Sequence, residues 1–147
     1  MNKTYGFLRD ATAATRVNLP GVAANVKEIC AAAETAATRE TSLLIFPELC
    51  VTGYTCGDLF GQNLLIEGAE QGVIEIARST SNLDMTLVVG VPVRIRGRLY
   101  NCAAVISEGE VYALVPKIHI PNYNEFYESR WFASGSDFLG QKATSVL

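Results

Sequence analysis

The sequence predicts an α/β fold in which a mixed sheet carries helices on one face. Three observations predict it. Residues 20–38 and 62–79 repeat apolar side chains at helical spacing. Short runs of β type surround them, at residues 5–14 and 42–46 and three times after Met85. Arg96-Gly97 and Glu108-Gly109 separate the last three runs as hairpin turns. The resulting order, β-α-β-α-β-β-β, suggests a mixed sheet with helices on one face, hence the α/β class.

Each element has its own signal. The first strand, 5–14, ends in a polar turn. Asn18 and Pro20 then read as a helix start, with Pro at or near the first turn. Val22, Val26, Ile29, Ala33 and Ala36 form one stripe on the helix that follows. The run SLLIF, 42–46, has no polar alternation, which suits a central strand covered on both faces. Pro47 ends it. The stretch PELCVTGYTCGDLFG is rich in Gly, Thr and Cys and reads as a long functional loop. Leu65, Ala69, Val73, Ile76 and Ala77 form the apolar face of the second helix. MTLVVGVPVRI, RLYNCAAVI and VYALVP are the last three strands. Residues 117–135 mix polar and aromatic side chains without a period and read as an active-site loop with one helical turn. There is no internal repeat, low-complexity tract or linker. The last residues, GSDFLGQKATSVL, do not read as a domain end, and Val146-Leu147 reads as a strand being opened.

Composition narrows the classes. The 147 residues are 49% hydrophobic and 18% charged, enough to fill a core and unlike a disordered chain. Net charge is −3, with no basic stripe, so nucleic acid is not an expected partner. No apolar run approaches a membrane span, and the N-terminus lacks the apolar stretch of a signal peptide; a cytoplasmic location is expected. The cysteines are Cys30, Cys50, Cys56 and Cys102, with no CxxC pair, and His119 is the one histidine. No metal site is expected, and the thiols read as reduced and mostly buried.

Two residues stand where chemistry would be expected. Glu48 follows a buried strand and Pro47, at the strand's carboxyl end, where α/β sheets bind ligands. A partly desolvated carboxylate there suits a general base. The competing reading is a surface Glu in a turn. Lys117 follows another apolar strand and Pro116 and could donate to a developing oxyanion; the competing reading is a solvated Lys at a strand exit. NYNEFYESRWF, 122–132, sets Tyr123, Phe126, Tyr127, Trp131 and Phe132 among Glu125, Glu128 and Arg130. Aromatic walls with a few charges suit a small polar ligand, although Trp131 and Phe132 read better as core. Cys50 lies two residues from Glu48, yet i and i+2 align only in an extended strand. Packing is the better reading for it.

Taken together, FPELCVTGY and VPKIHIPNYNEF resemble the glutamate and lysine motifs of the nitrilase superfamily. The resemblance runs from about Tyr5 to Gly135. It implies a four-layer α-β-β-α sandwich, of which about half is present. It also implies a Glu base, a Lys that stabilises the tetrahedral intermediate, and a Cys nucleophile. YTCGDLF and IPNYNEFYESRWF are similar to the glutamine-dependent NAD+ synthetase branch, with Ile120 in place of a leucine. That branch hydrolyses glutamine and passes the ammonia to a synthetase domain that uses ATP and Mg to amidate deamido-NAD. By resemblance Glu48 and Lys117 are catalytic. Tyr54, Tyr123 and Phe126 are placed as substrate-binding residues, and Glu125 as an auxiliary glutamate near the lysine. The family's cysteine follows several tens of residues after the lysine, whereas none of the 30 residues after Lys117 is Cys. The chain is therefore expected to be the front part of a glutaminase domain. It would have no glutaminase activity alone and no cofactor of its own. Its partners would be glutamine and its own synthetase domain, and uncovered apolar surface would favour homo-oligomers. The alternatives are another nitrilase-type amidase, which YTCGDLF argues against, and a non-catalytic α/β module that binds a partner through the aromatic loop.

Overall fold

A computed structural model describes residues 6–139. Tyr5 and the strand expected to open at Val146-Leu147 lie outside them. Five strands form one mixed sheet in the order β1-β2-β3-β4-β5: β1 (Asp10–Thr12), β2 (Leu43–Ile45), β3 (Thr86–Ile95), β4 (Arg98–Ser107) and β5 (Glu110–Pro116). β1, β2 and β3 pair in parallel, and β3, β4 and β5 pair antiparallel. The two helices, α1 (Val22–Ala37) and α2 (Asn63–Ser79), pack on one face.

The helical stripes do what their spacing predicts. Val26, Ile29, Ala33 and Ala36 of α1 are buried, as are Leu65, Ala69, Val73, Ile76 and Ala77 of α2. Apart from Leu65, which packs with Phe60 and Phe132, they meet alternate residues of the sheet: Leu87, Val89, Val91 and Val93 from β3, and Tyr100, Cys102, Ala104 and Ile106 from β4. That alternation is the two-residue period of strands. Both hairpins turn through two residues with positive φ, Arg96 (49°) with Gly97 (78°) and Glu108 (50°) with Gly109 (84°). This is the primed turn whose twist matches the flanking strands.

Four expectations need correction. The first strand is three residues long rather than ten. α1 begins at Val22 after the cap residue Gly21 rather than at about residue 20, so Pro20 precedes the helix, near its first turn. The stretch after Pro47 is not an open loop throughout: Tyr54–Gly61 coils into two short 3₁₀ turns joined at Gly57. β2 is covered on one face only. Leu44 is buried among the helices, but Ile45 on the opposite side is 38% exposed. The uniformly apolar run SLLIF foretold burial of both faces, and the described residues supply cover for one.

Topology brings strand ends together. β2, β3 and β5 all run the same way, so their carboxyl ends share one edge of the sheet. The residue after β5 reaches β4 at that edge, where the Lys117 amide donates to the Asn101 carbonyl (2.7 Å). The Glu48 turn and the 117–135 loop both leave from there.

Candidate active site

Glu48 stands on a tight turn. The Cys50 amide donates to the Pro47 carbonyl (3.3 Å), and the Thr52 and Gly53 amides donate to the Leu49 carbonyl (3.2 and 2.7 Å). Leu49 has a left-handed backbone (φ 52°) although it is a fully buried leucine. A non-glycine residue holds that conformation only when its surroundings impose it. Two neighbours impose it here. Gly90 in β3 lies so close to the turn that a Cβ on it would fall 2.2 Å from the Leu49 amide nitrogen. Asn25 of α1, fully buried, donates to the Val51 carbonyl (3.0 Å) and also pairs with the Asn18 main chain.

The Lys117 ammonium bridges two carboxylates. Its Nζ donates to Glu48 Oε1 (2.7 Å) and to Glu128 Oε1 and Oε2 (3.1 and 3.0 Å). Burial disfavours the charged lysine, but hydrogen bonds to Glu48 and Glu128 outweigh it and raise its pKa above the ordinary value. Glu128 is 3% exposed, where an unpaired carboxylate would be very costly. The Tyr54 hydroxyl also donates to Glu128 Oε1 (2.6 Å). Burial, and then the Glu128 carboxylate, push the tyrosine pKa up. Asn101 of β4, buried at 3% exposure, donates its side-chain amide to Glu48 Oε1.

The structure therefore brings Glu48, Lys117 and Tyr54 into one network. It does not bring in Glu125, which is exposed. The carboxylate beside the lysine is Glu128, three residues on. The loop's 3₁₀ turn, Glu128–Arg130, starts there and directs that side chain inward, whereas residues 122–125 face outward. Tyr123 is exposed, with its ring against half-buried Phe126 (centroids 5.8 Å apart). Sequence reasoning named Glu128 only among the charges of the aromatic loop and passed over Asn101 and Gly90. For Gly90 a signal existed, since a lone glycine inside a strand often marks close backbone approach. Asn101, a polar residue in the apolar run LYNCAAVI, was a second.

A pair of contacts ties the 3₁₀ segment to the loop. Arg130 grips Asp58 with Nε and Nη2 (2.8 and 3.2 Å), and the Trp131 indole donates to the same carboxylate (3.0 Å). Beneath them Phe60 packs edge-on to Phe132 (4.9 Å) and tilted against Trp131 (5.9 Å).

The thiols are packing groups. Cys50 is buried, its sulfur lies 3.3 Å from the donating Gly90 amide, and burial pushes its pKa up to about 11. Burial pushes Cys102 up to about 12. Neither is a poised nucleophile. Among the described residues no helix is long and apolar enough to cross a membrane.

Residues 12–146 match the family model for carbon-nitrogen hydrolases. The chain belongs to the carbon-nitrogen hydrolase family. A glutamine-dependent NAD(+) synthetase from Mycobacterium leprae is 35% identical over 137 residues, 93% of this chain and 20% of its own length. One from Thermotoga maritima is 33% identical over 122 residues, 83% of this chain and 21% of its own length. The chain thus spans about a fifth of the curated relatives it matches. The crystal structure of a glutamine-dependent NAD(+) synthetase from Cytophaga hutchinsonii superposes with a TM-score of 0.82 at 37% identity, covering 86% of this chain and 22% of that one. An amidase of the nitrilase superfamily from Nesterenkonia shares the fold, with a TM-score of 0.73 at 23% identity over 88% of this chain and 48% of its own. Five mixed strands and two helices on one face are a partial version of that carbon-nitrogen hydrolase fold.

Proposed function

We propose that this chain contributes the Glu–Lys half of a glutaminase site whose ammonia feeds an ATP- and Mg-dependent synthetase domain that converts deamido-NAD to NAD. The observation that carries the proposal is the Glu48–Lys117–Glu128 network at the sheet edge, with Lys117 Nζ within 2.7–3.1 Å of both carboxylates. Relatives at 33–35% identity named glutamine-dependent NAD(+) synthetases supply the substrate class. Tyr54 sits in the network, and Tyr123 and Phe126, on the loop that carries Glu128, are read as residues for the substrate to meet.

Charge explains how the trio would act. Two carboxylates share one ammonium, so one negative charge is uncompensated. A proton taken from an attacking thiol neutralises it. In this reading Glu48 is the base and the thiol comes from outside these 147 residues, since the chain's own buried cysteines are ill-placed to attack. Lys117 Nζ is held by three carboxylate oxygens in the resting site. Once Glu48 is protonated its hold on Nζ weakens, and one N–H is released toward the oxyanion forming on the amide carbonyl. Proton transfer and oxyanion stabilisation are thereby coupled through one lysine. Glu128, held by Tyr54, keeps Nζ in place throughout.

In the full-length protein, Glu48→Ala should lower glutamine-driven NAD synthesis by about 10²–10⁴-fold, the usual contribution of a positioned base. Lys117→Ala should cost roughly 10²–10³-fold. Synthesis driven by added ammonium should persist in both. Equal loss with both nitrogen sources would refute the assignment, as would no loss at all. The isolated 147-residue polypeptide should release no ammonia from glutamine.

A further inference from the structure

Asn101 occupies a place that local folding does not require to be polar. It sits inside β4 opposite Pro92, flanked on its own sheet face by Leu99 and Ala103. A buried amide there is unfavourable unless its hydrogen bonds are made. Its side chain does not bond the strand ladder. It leaves the sheet and donates to Glu48 Oε1, the oxygen that also accepts from Lys117 Nζ. Its main-chain carbonyl meanwhile accepts from the Lys117 amide (2.7 Å). One buried residue thus touches the base through its side chain and the lysine's backbone through its carbonyl. Among the described residues no donor reaches Glu48 Oε2.

We propose that Asn101 is a positioning residue that, with Lys117, pins Oε1 of Glu48 and so leaves Oε2 as the atom that takes the proton. This rests on the reading of Glu48 as the general base. A carboxylate on a flexible side chain presents either oxygen, at many angles. Two donors on one oxygen fix the carboxylate plane and assign the two oxygens different work. In the reacting site the sulfur lone pair forms the bond to the amide carbon, the carbonyl π pair moves to oxygen, and the thiol proton passes to Oε2. Oε2–H then stands ready to give that proton to the departing amine. Oε1 keeps the Asn101 donor through both transfers even as Lys117 loosens its hold, so the base need not reorient between them.

The test measures glutamine-driven and ammonium-driven synthesis in the full-length protein, for Asn101→Leu, Asn101→Asp and Glu48→Gln. Asn101→Leu removes the donor and keeps a branched side chain of the same four heavy atoms in outline. Asn101→Asp keeps the outline and cannot donate when ionised, so it reads the same bond if the leucine variant fails to fold. A hydrogen bond to a charged group, once lost, corresponds to about a ten- to hundredfold change. We expect kcat with glutamine to fall by that factor while KM for glutamine stays within about threefold. Ammonium-driven synthesis should be unchanged. A merely structural role would lower both activities together, and that outcome overturns the proposal. An unchanged kcat, or a raised KM with kcat intact, overturns it too, the latter making Asn101 a substrate contact. Glu48→Gln separates the two levels of the argument. If it retains glutamine-driven synthesis, the base reading fails and the proposal with it. If it abolishes that synthesis while both Asn101 variants remain fully active, only the positioning role fails.

Discussion

Glu48 owes its place less to its own chemistry than to a glycine forty-two residues later. The turn that carries it rests on Gly90, and the Val51 amide donates to the Gly90 carbonyl (3.1 Å). A methyl group at position 90 would meet Leu49 nitrogen at 2.2 Å, Pro47 oxygen at 2.7 Å and the Glu48 carbonyl carbon at 2.7 Å. These are backbone atoms, which cannot swing aside as a side chain can. Gly90→Ala therefore has to push the whole turn away from the sheet. Overpacking of this kind typically costs about 1–3 kcal/mol, and a base displaced by even an ångström loses much of its rate. Gly90→Ala should lower thermal stability by that amount and reduce glutamine-driven turnover by at least tenfold. Calorimetry alongside the two-nitrogen-source assay checks both halves. Wild-type stability and turnover together would mean that the turn has room the structure does not show.

At the scale of elements, the aromatic loop is held by two layers of contact that differ in worth. The outer layer is the Asp58–Arg130–Trp131 cluster, whose charged members are largely exposed. Water screens such pairs, and they add little to stability. The inner layer is Phe60 against Trp131 and Phe132, with Phe60 only 1% exposed. Truncating a buried phenylalanine costs roughly 3–5 kcal/mol. Phe60→Ala should therefore lower the melting temperature sharply and free the 122–132 loop for proteolysis. Asp58→Ala should leave the melting temperature nearly unchanged. A large effect of Asp58→Ala would show that the outer cluster, and not the aromatic packing, holds the loop. The contrast also marks what the sequence could reveal. The helices, the three long strands and both hairpins were legible because each is written in a local period or a turn pair such as Arg96-Gly97. The site was legible only at strand ends, where Glu48 and Lys117 follow Pro. Glu128 was not, because Glu125 and Glu128 are chemically alike and only the 3₁₀ turn at Glu128–Arg130 decides which faces inward. Asn101 stands out as a polar residue in an apolar run, but its partner lies 53 positions away, and no local pattern names that partner.

Over the described residues the molecule is a sheet with one covered face. On the side opposite the helices, Ile45 is 38% and Val115 55% exposed, with Val88, Ala103 and Val105 only half-buried beside them. The strand registers place Ile45 next to Val88 and Val115 next to Ala103, so these side chains form a contiguous apolar band across the sheet rather than scattered spots. Bands of this kind drive association when nothing covers them. The described residues cover only the helix face, and the curated relatives are about five times as long as the stretch they share with this chain. For the isolated 147-residue polypeptide, the apolar cover nearest to hand is a second copy. Light scattering over a concentration series should therefore show self-association of that polypeptide. Ile45→Lys combined with Val115→Lys should suppress it, because a charge carried into a packed apolar interface is strongly unfavourable without a partner. Both positions point away from the helices, so the helical content by circular dichroism should survive the substitutions. If the unsubstituted polypeptide stays monomeric at every concentration, the band is not adhesive and its exposure has no consequence. If the double variant associates as strongly as the parent, contact must run through the free edge of β1 or β5 instead, where unpaired backbone groups offer the other route to pairing.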